Sequence, residues 1–229
     1  MAGMVKTVTE QIYNEIRNAI MTQEIPAGEK LTVKMLHEMY GVSSSPIREA
    51  LTMLKEDGLI EYKPNVGMSV IVMTAKDVDE IFDLMAEMDV IAMSFSFKNG
   101  HGNELIRAMK ENLEKLASYP ANDKADDDEW IRLSDNFHLL MYDYADNSRL
   151  TIAARKIRAQ MTVFSNAYER IEENKSDIAE EHGKILAALE NNDLEGAGEI
   201  MREHLMSSKA RALQVFQSSD QTELKVGSN

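Results

Sequence analysis

Five histidines, His37, His101, His138, His182 and His204, are all that this chain of 229 residues offers for imidazole chemistry. Three of them, His138, His182 and His204, fall in stretches of helical periodicity in the C-terminal two thirds. In LSDNFHLLMYDYADN, Ser134 stands four residues before His138 and shares its helix face; Asp135, three before, shares it less closely. His182 opens EEHGKILAALENND and His204 closes GAGEIMREHL, eleven residues before and eleven after Asp193. Two antiparallel helices turning at NND would bring them nearly opposite each other. Imidazole nitrogens together with a carboxylate suit zinc, nickel, iron or manganese. A single helical histidine is more often a packed or solvated residue than a ligand, so spacing alone leaves a structural role open.

A second kind of chemistry is written in GVSSSPIREALTMLKEDGL, residues 41–59. Ser43, Ser44 and Ser45 are good helix N-caps, and Pro46 suits a first turn because its missing N–H would have had no helical partner. Three hydroxyls beside a helix N-terminus can hydrogen-bond phosphate oxygens, and Arg48, one turn in, has the planar fork that pairs with guanine. Lys34 on the preceding helix and Lys63, Asn65 and Gly67 in a following hairpin are placed for backbone or minor-groove contact. The plain alternative is that Ser-Ser-Ser-Pro only caps a helix and Arg48 is a solvated charge.

The elements around these residues favour the DNA reading. Apolar Val8, Ile12, Ile16, Ile20 and Met21 predict an amphipathic helix over 5–22, and EIPAGEKL stops it. Thr32 caps a short helix through Tyr40, Gly41 ends it, and a third helix carrying Ile47, Leu51 and Leu54 on its apolar face ends near Gly58. LIEYK and MSVIVM, joined by PNVG, read as a hairpin. Beyond Thr74, periodic segments over 76–98, 103–118, 127–145, 148–173, 175–191 and 193–217 predict six helices, with an acidic surface loop at 119–129 and a polar tail from 218. The fold class is therefore mainly α: an N-terminal winged helix-turn-helix (1–74) with a small β-hairpin wing, a C-terminal antiparallel all-α bundle (75–217), and a disordered tail (218–229).

Charge separates the two parts. The chain carries 25 Lys+Arg against 39 Asp+Glu, of which residues 1–74 hold 7 and 9, leaving 18 and 30 for the remainder. The bundle is thus no nucleic-acid surface, and DNA binding must rest on local groups of the first part. No apolar run approaches the roughly eighteen residues of a membrane helix, and the first twenty residues lack a secretory pattern, so a cytoplasmic location is expected. The absence of cysteine excludes disulfides, thiolate catalysis and sulfur-ligated zinc.

Residues 5–74 resemble the winged domain of the GntR family of bacterial repressors. The matching stretches are Ile25-Pro-Ala-Gly-Glu-Lys-Leu31, Gly41-Val-Ser-Ser-Ser-Pro-Ile-Arg-Glu-Ala-Leu51, Leu54-Lys-Glu-Asp-Gly-Leu-Ile60 and Asn65-Val-Gly67. Ser44 and Val66 stand where the family usually or often has arginine. Residues 75–217 resemble the ligand-binding domain of the FadR branch, through Phe137-His138, Ala145-Asp-Asn-Ser-Arg-Leu150, Glu181-His182 and Arg202-Glu-His204-Leu. That resemblance implies a divalent metal held by His138, His182 and His204, with Ser134 at the usual carboxylate position, so that either Asp135 or a water held through Ser134 completes the shell. It also implies a small carboxylate effector at or beside the metal. Met85 replaces an arginine of many relatives, so either a less acidic effector or the recruitment of Arg155 or Arg158 is expected.

These observations predict a homodimeric repressor that binds a palindromic double-stranded DNA operator under effector control. A metal hydrolase built on the three histidines is the rival of another class, although no feature nominates a separate general base. A dimerisation scaffold with structural histidines is the second.

Overall fold

The computed structural model describes residues 7–119, 127–169 and 171–226, and of 162–169, 172–173 and 215–226 the backbone alone. It divides into two compact units, Met1–Met73 and Thr74–Asn229.

In the first unit, α1 (Val8–Met21) begins in a capping box: the Thr7 hydroxyl accepts from Glu10 N–H, and the Glu10 carboxylate accepts from Thr7 N–H. Its apolar stripe, Ile12, Ile16, Ala19 and Ile20, is buried against α3 (Ser44–Glu56), which contributes Ile47, Ala50, Leu51 and Leu54. In chain order α2 (Val33–Tyr40) comes between these two and packs on α3; it is capped by the Thr32 hydroxyl and closed by Gly41 at φ 68°. Only glycine takes that left-handed conformation without cost to a Cβ. Tyr13 of α1 donates to Asp57 at 2.5 Å and so ties the far end of α3 to α1.

The hairpin is β2 (Ile60–Lys63) and β3 (Gly67–Val70), antiparallel with Lys63 opposite Gly67. Pro64 and Asn65 occupy the middle of its turn, Asn65 at φ 66°, and Val66 N–H donates to Lys63 C=O at 3.1 Å. Proline first and a positive φ second is the type II arrangement. A third strand, β1 (Lys30–Leu31), pairs with β3 and makes a sheet of order β1-β3-β2. The sequence reading took this segment as turn only, because a two-residue strand leaves no alternation to detect.

The second unit consists of α4 (Ala75–Lys98), α5 (Gly102–Ala117), α6 (Asp127–Tyr144), α7 (Ser148–Glu169), α8 (Glu172–Glu190) and α9 (Leu194–Val226). α4 is central: it packs on α6, α7 and α9, while α8 lies between α9 and α5. Its buried face includes Phe82, Met85, Asp89, Ala92, Met93 and Ser96, one apolar stripe interrupted by a carboxylate. Ser96 donates to Met141 C=O at 3.0 Å and joins α4 to α6. α9 continues to Val226, nine residues past the predicted 217, since no glycine or proline interrupts the sequence before Gly227. The acidic connection predicted at 119–129 lies outside the described residues at 120–126. Among the described residues no helix is long and apolar enough to cross a membrane.

α4 starts in a second capping box, Thr74 with Asp77, whose carboxylate accepts from Thr74 N–H at 2.8 Å. Asp77 is held below the usual carboxylate range by these bonds. Thr74→Ala is expected to cost about 1 kcal/mol of the second unit's stability, read from urea unfolding. An unchanged midpoint would mean that packing alone holds this end of α4.

Candidate metal centre and nucleic-acid interface

Three helices deliver the histidines. His138 lies on the buried face of α6 with Trp130, Ser134, Phe137 and Met141. His182 and His204 come from α8 and α9, whose connection is built by its own residues. Asn192 takes a positive φ of 59°, and the Asp193 carboxylate accepts from Gly196 N–H at 2.9 Å, capping α9. A Cβ on Gly196 would stand 2.2 Å from that carboxylate, so the tight turn needs glycine there.

The three imidazoles meet in the bundle interior, at most 3% exposed. Their Nε2 atoms form a nearly equilateral triangle: His182 to His138 3.2 Å, His182 to His204 3.3 Å, His204 to His138 3.3 Å. Three nitrogens around one tetrahedral ion at about 2.0–2.1 Å would stand about 3.3–3.4 Å apart, so the donor set fits a divalent transition metal. These three are the metal-competent group found among the described residues.

What lies behind the rings fixes which nitrogen faces inward. His138 Nδ1–H donates to Asp89 Oδ2 at 2.8 Å, and Arg158 Nη1 donates to the same oxygen at 3.4 Å. The Tyr142 hydroxyl donates to Asp89 Oδ1. On the other side His204 Nδ1–H donates to Glu181 Oε2 at 2.7 Å, and Arg211 grips Glu181 with two N–H groups at 3.2 and 2.6 Å. Two of the histidines are thus each backed by a carboxylate that is itself backed by an arginine. Outer partners of this kind set the tautomer and aim the ring. His182 differs, its ring lying flat on Phe137 at 4.1 Å while its buried Nδ1 has no hydrogen-bond partner among the described residues.

Both tautomers of His182 leave the cluster unsatisfied. With its proton on Nε2, that N–H can serve one neighbour while Nδ1 stays a bare buried acceptor. With the proton on Nδ1, three lone pairs point at one another. A cation between the Nε2 atoms removes the conflict of lone pairs, which is a physical reason to read the cluster as a metal centre.

Electrostatics agree. Burial drives the His138 and His182 imidazoles well below their ordinary range, aided by the Arg158 charge, and so keeps them neutral as ligation requires. Burial also raises the Glu181 carboxyl, but hydrogen bonds from His204 and Arg211 outweigh it and hold it at about 2. Burial pushes the Asp89 carboxyl up against the pull of Arg158 and Tyr142. With three donors aimed at its two oxygens, it stands as a carboxylate. Burial opposes the charge of Arg158 too, yet Asp89 and Asp135 more than compensate and stabilise its guanidinium.

Several expectations are corrected here. Asp135 is absent from the ligand group; its Oδ1 accepts from Arg158 Nε at 3.0 Å, and its side chain is a quarter exposed. One position past Ser134, it is turned by about 100° from the buried face. Ser134 is buried on that face, one turn before His138, and offers only a neutral hydroxyl. Arg158 is buried and engaged by two carboxylates, whereas Arg155 is half-exposed and pairs with Asp143 at 2.5 Å. The buried residues of α7 among those described are Ala154, Arg158, Ala159 and Met161, which leaves Arg155 on the outer side. Asp89 and Glu181 were missed as partners of the histidines. A carboxylate inside the apolar stripe of α4 was the signal available for Asp89, and the Glu181-His182 pair for the other.

In the first unit, Ser43, Ser44, Ser45 and Arg48 are all exposed at the start of α3. Ser43 is the N-cap yet makes no side-chain cap bond, so its hydroxyl is unspent on the helix. Ser45 instead donates to Glu49 Oε1 at 3.1 Å, and Thr9 donates to Glu49 Oε2 at 2.9 Å. Lys34 stands 3.9 Å from Glu38 one turn on, both exposed. Lys63 is paired with Glu61 at 2.7 Å, two residues back on the same strand face. Asn65 and Gly67, at positive φ, form the hairpin tip with exposed Val66.

Comparison with known proteins gives two family matches: residues 8–70 match the model of bacterial regulatory proteins of the gntR family, and residues 77–207 that of the FCD domain. The chain is 28% identical over 195 residues to the helix-turn-helix regulator YdhC of Bacillus subtilis, covering 85% of this chain and 86% of that one. It is 28% identical over 208 residues to the transcriptional repressor GlaR of Escherichia coli, covering 85% and 91%. Among solved structures, Escherichia coli McbR/YncC superposes with a TM-score of 0.78 at 23% identity, over 93% of this chain and all of that one. This last likeness speaks to the fold.

Proposed function

This chain belongs to the GntR family of bacterial transcriptional regulators and carries an FCD domain, and from that membership we propose that it is a repressor whose operator binding is set by a small carboxylate held at a metal centre in the helical unit. DNA binding is the business of the family. The effector and the metal are this reading's own additions, carried by one observation: three buried Nε2 atoms 3.2–3.3 Å apart, which no assignment of imidazole protons satisfies.

His138, His182 and His204 would hold the divalent ion, which supplies a Lewis-acidic anchor for a carboxylate oxygen. Asp89 and Glu181 hold Nδ1 protons so that Nε2 lone pairs face inward. Phe137 fixes the plane of His182 by stacking. Relatives that it matches are named as transcription regulators, and among them GlaR is a repressor. Release of DNA on effector binding is therefore the expected direction, and a cytoplasmic site of action follows from it.

At the DNA, α3 enters the major groove with Ser43, Ser44 and Arg48 foremost, and Asn65 and Gly67 bring the hairpin tip to the backbone. Ser45, Lys34 and Lys63 reach phosphates only by leaving Glu49, Glu38 and Glu61, exposed pairs whose loss costs little. With so few basic groups per unit, a homodimer on a palindromic operator is the natural assembly. Effector binding can then act only as far as it prefers one placement of the two reading heads over another.

Arg48→Ala is expected to weaken specific operator binding by about 1–3 kcal/mol, measured by fluorescence anisotropy on a selected inverted repeat. Equal affinity of the variant would remove α3 from the groove. The effector reading is tested on the full chain by thermal shift against a panel of small carboxylates, with metal or with chelator. Carboxylate shifts that survive chelation would show that the metal takes no part.

A further inference from the structure

Resting on the metal reading just given, the charges around the three histidines say what else must bind there. Asp89 faces Arg158 and Glu181 faces Arg211, so each carboxylate that aims a histidine is already balanced by a guanidinium. Among the described residues Asp135 is a further negative group in contact with Arg158, and its side chain is a quarter solvated. Asp177, 3.9 Å from Arg211, is 63% exposed and screened. The donors themselves are three neutral imidazoles, and Ser134, one turn before His138, contributes no charge. Among the described residues a divalent ion therefore adds two positive charges to an interior that holds at most one uncompensated negative charge, and that one at its edge. Uncompensated charge in a dry bundle is strongly disfavoured.

We propose that this centre binds a divalent ion only jointly with a singly charged anion, the effector itself, which takes the coordination place that no carboxylate of the described chain supplies. Ion and anion are then obligate partners: each raises the affinity for the other by the same factor. The metal is a co-ligand that comes and goes with the effector, not a permanent fixture. The balance also selects the charge of the effector. One negative charge completes neutrality with Asp135, whereas a second would need a free cation, and Arg158 and Arg211 already face carboxylates of their own. The structure thus assigns the effector to the monocarboxylates rather than to di- or tricarboxylates.

The test titrates Co²⁺ into the chelator-stripped full chain in a buffer without coordinating anions, following visible absorption and heat, alone and with saturating acetate or succinate. Acetate is expected to tighten Co²⁺ binding by at least about tenfold, Co²⁺ to tighten acetate by the same factor, and succinate to do distinctly less. Ser134→Asp supplies the missing charge from the chain and should bind Co²⁺ without acetate, the acetate effect shrinking to less than about twofold. Co²⁺ affinity of the natural chain that is indifferent to acetate overturns the joint-binding proposal while leaving the centre in place. Equal effects of acetate and succinate overturn the assignment to monocarboxylates. Absence of Co²⁺ binding under every condition, in the natural chain and in Ser134→Asp alike, overturns the metal reading on which the proposal stands. The natural chain decides the first two points even if the variant does not fold.

Discussion

Asp89→Ala should lower the unfolding free energy of the helical unit by about 3–5 kcal/mol in the presence of chelator, the cost of breaking a buried ion pair from one side. The carboxylate is fully buried and receives Arg158, Tyr142 and the Nδ1–H of His138. Its removal takes the acceptor from the Tyr142 hydroxyl and the His138 Nδ1–H, and leaves the buried Arg158 to the partly exposed Asp135. Chelator matters, because bound metal would add its own ligand-linked stability and blur the comparison. Asp135→Ala provides the contrast: Asp135 is a quarter exposed and Arg158 keeps Asp89, so about 1 kcal/mol is expected. Urea unfolding of both variants measures the difference. Equal losses would falsify the view that Asp89 is the structural keystone of this network.

His182→Ala is the second large effect, and it separates ligation from packing. In the presence of acetate the natural chain should melt higher with zinc than with chelator, whereas the variant should melt at one temperature in both. Loss of a ligand should cost metal affinity more than the roughly 10–100-fold typical of losing an outer partner. Without metal the change is expected to be mild, since the cavity left beside Phe137 is partly offset by removal of an unsatisfied buried nitrogen. His204→Ala should also release metal, with an additional apo-state cost because Glu181 and Arg211 lose their third member. Stoichiometric metal in the His182→Ala/His204→Ala chain would remove the site from these helices.

The parts of the molecule that sequence makes visible are those with a local cause. Gly41, Pro46, Asn65 and the NND turn act on their own backbone, and the helices they bound fall within a few residues of expectation, apart from the extension of α9. The meeting of His182 with His204 follows from counting along one hairpin. His138 adds itself only through the packing of α6, which no spacing reveals. Asp89, forty-nine residues from His138, has no periodic relation to it at all. Its signal was chemical: a carboxylate in the apolar stripe between Met85 and Ala92 demands a buried partner. The error over Asp135 has the same root. Proximity in sequence made it a candidate, and a single step around α6 gave it to Arg158 instead.

The α8–α9 turn carries one more consequence. Its two histidines meet because equal stretches of helix separate each from Asp193, so the hairpin works as a pair of matched rulers. An inserted or deleted residue between 182 and 204 would swing one imidazole by about 100° and lift it out of plane with its counterpart. Sequence drift in length is therefore barred from this segment, and a tag or reporter inserted between the two histidines would cost the chain its metal centre.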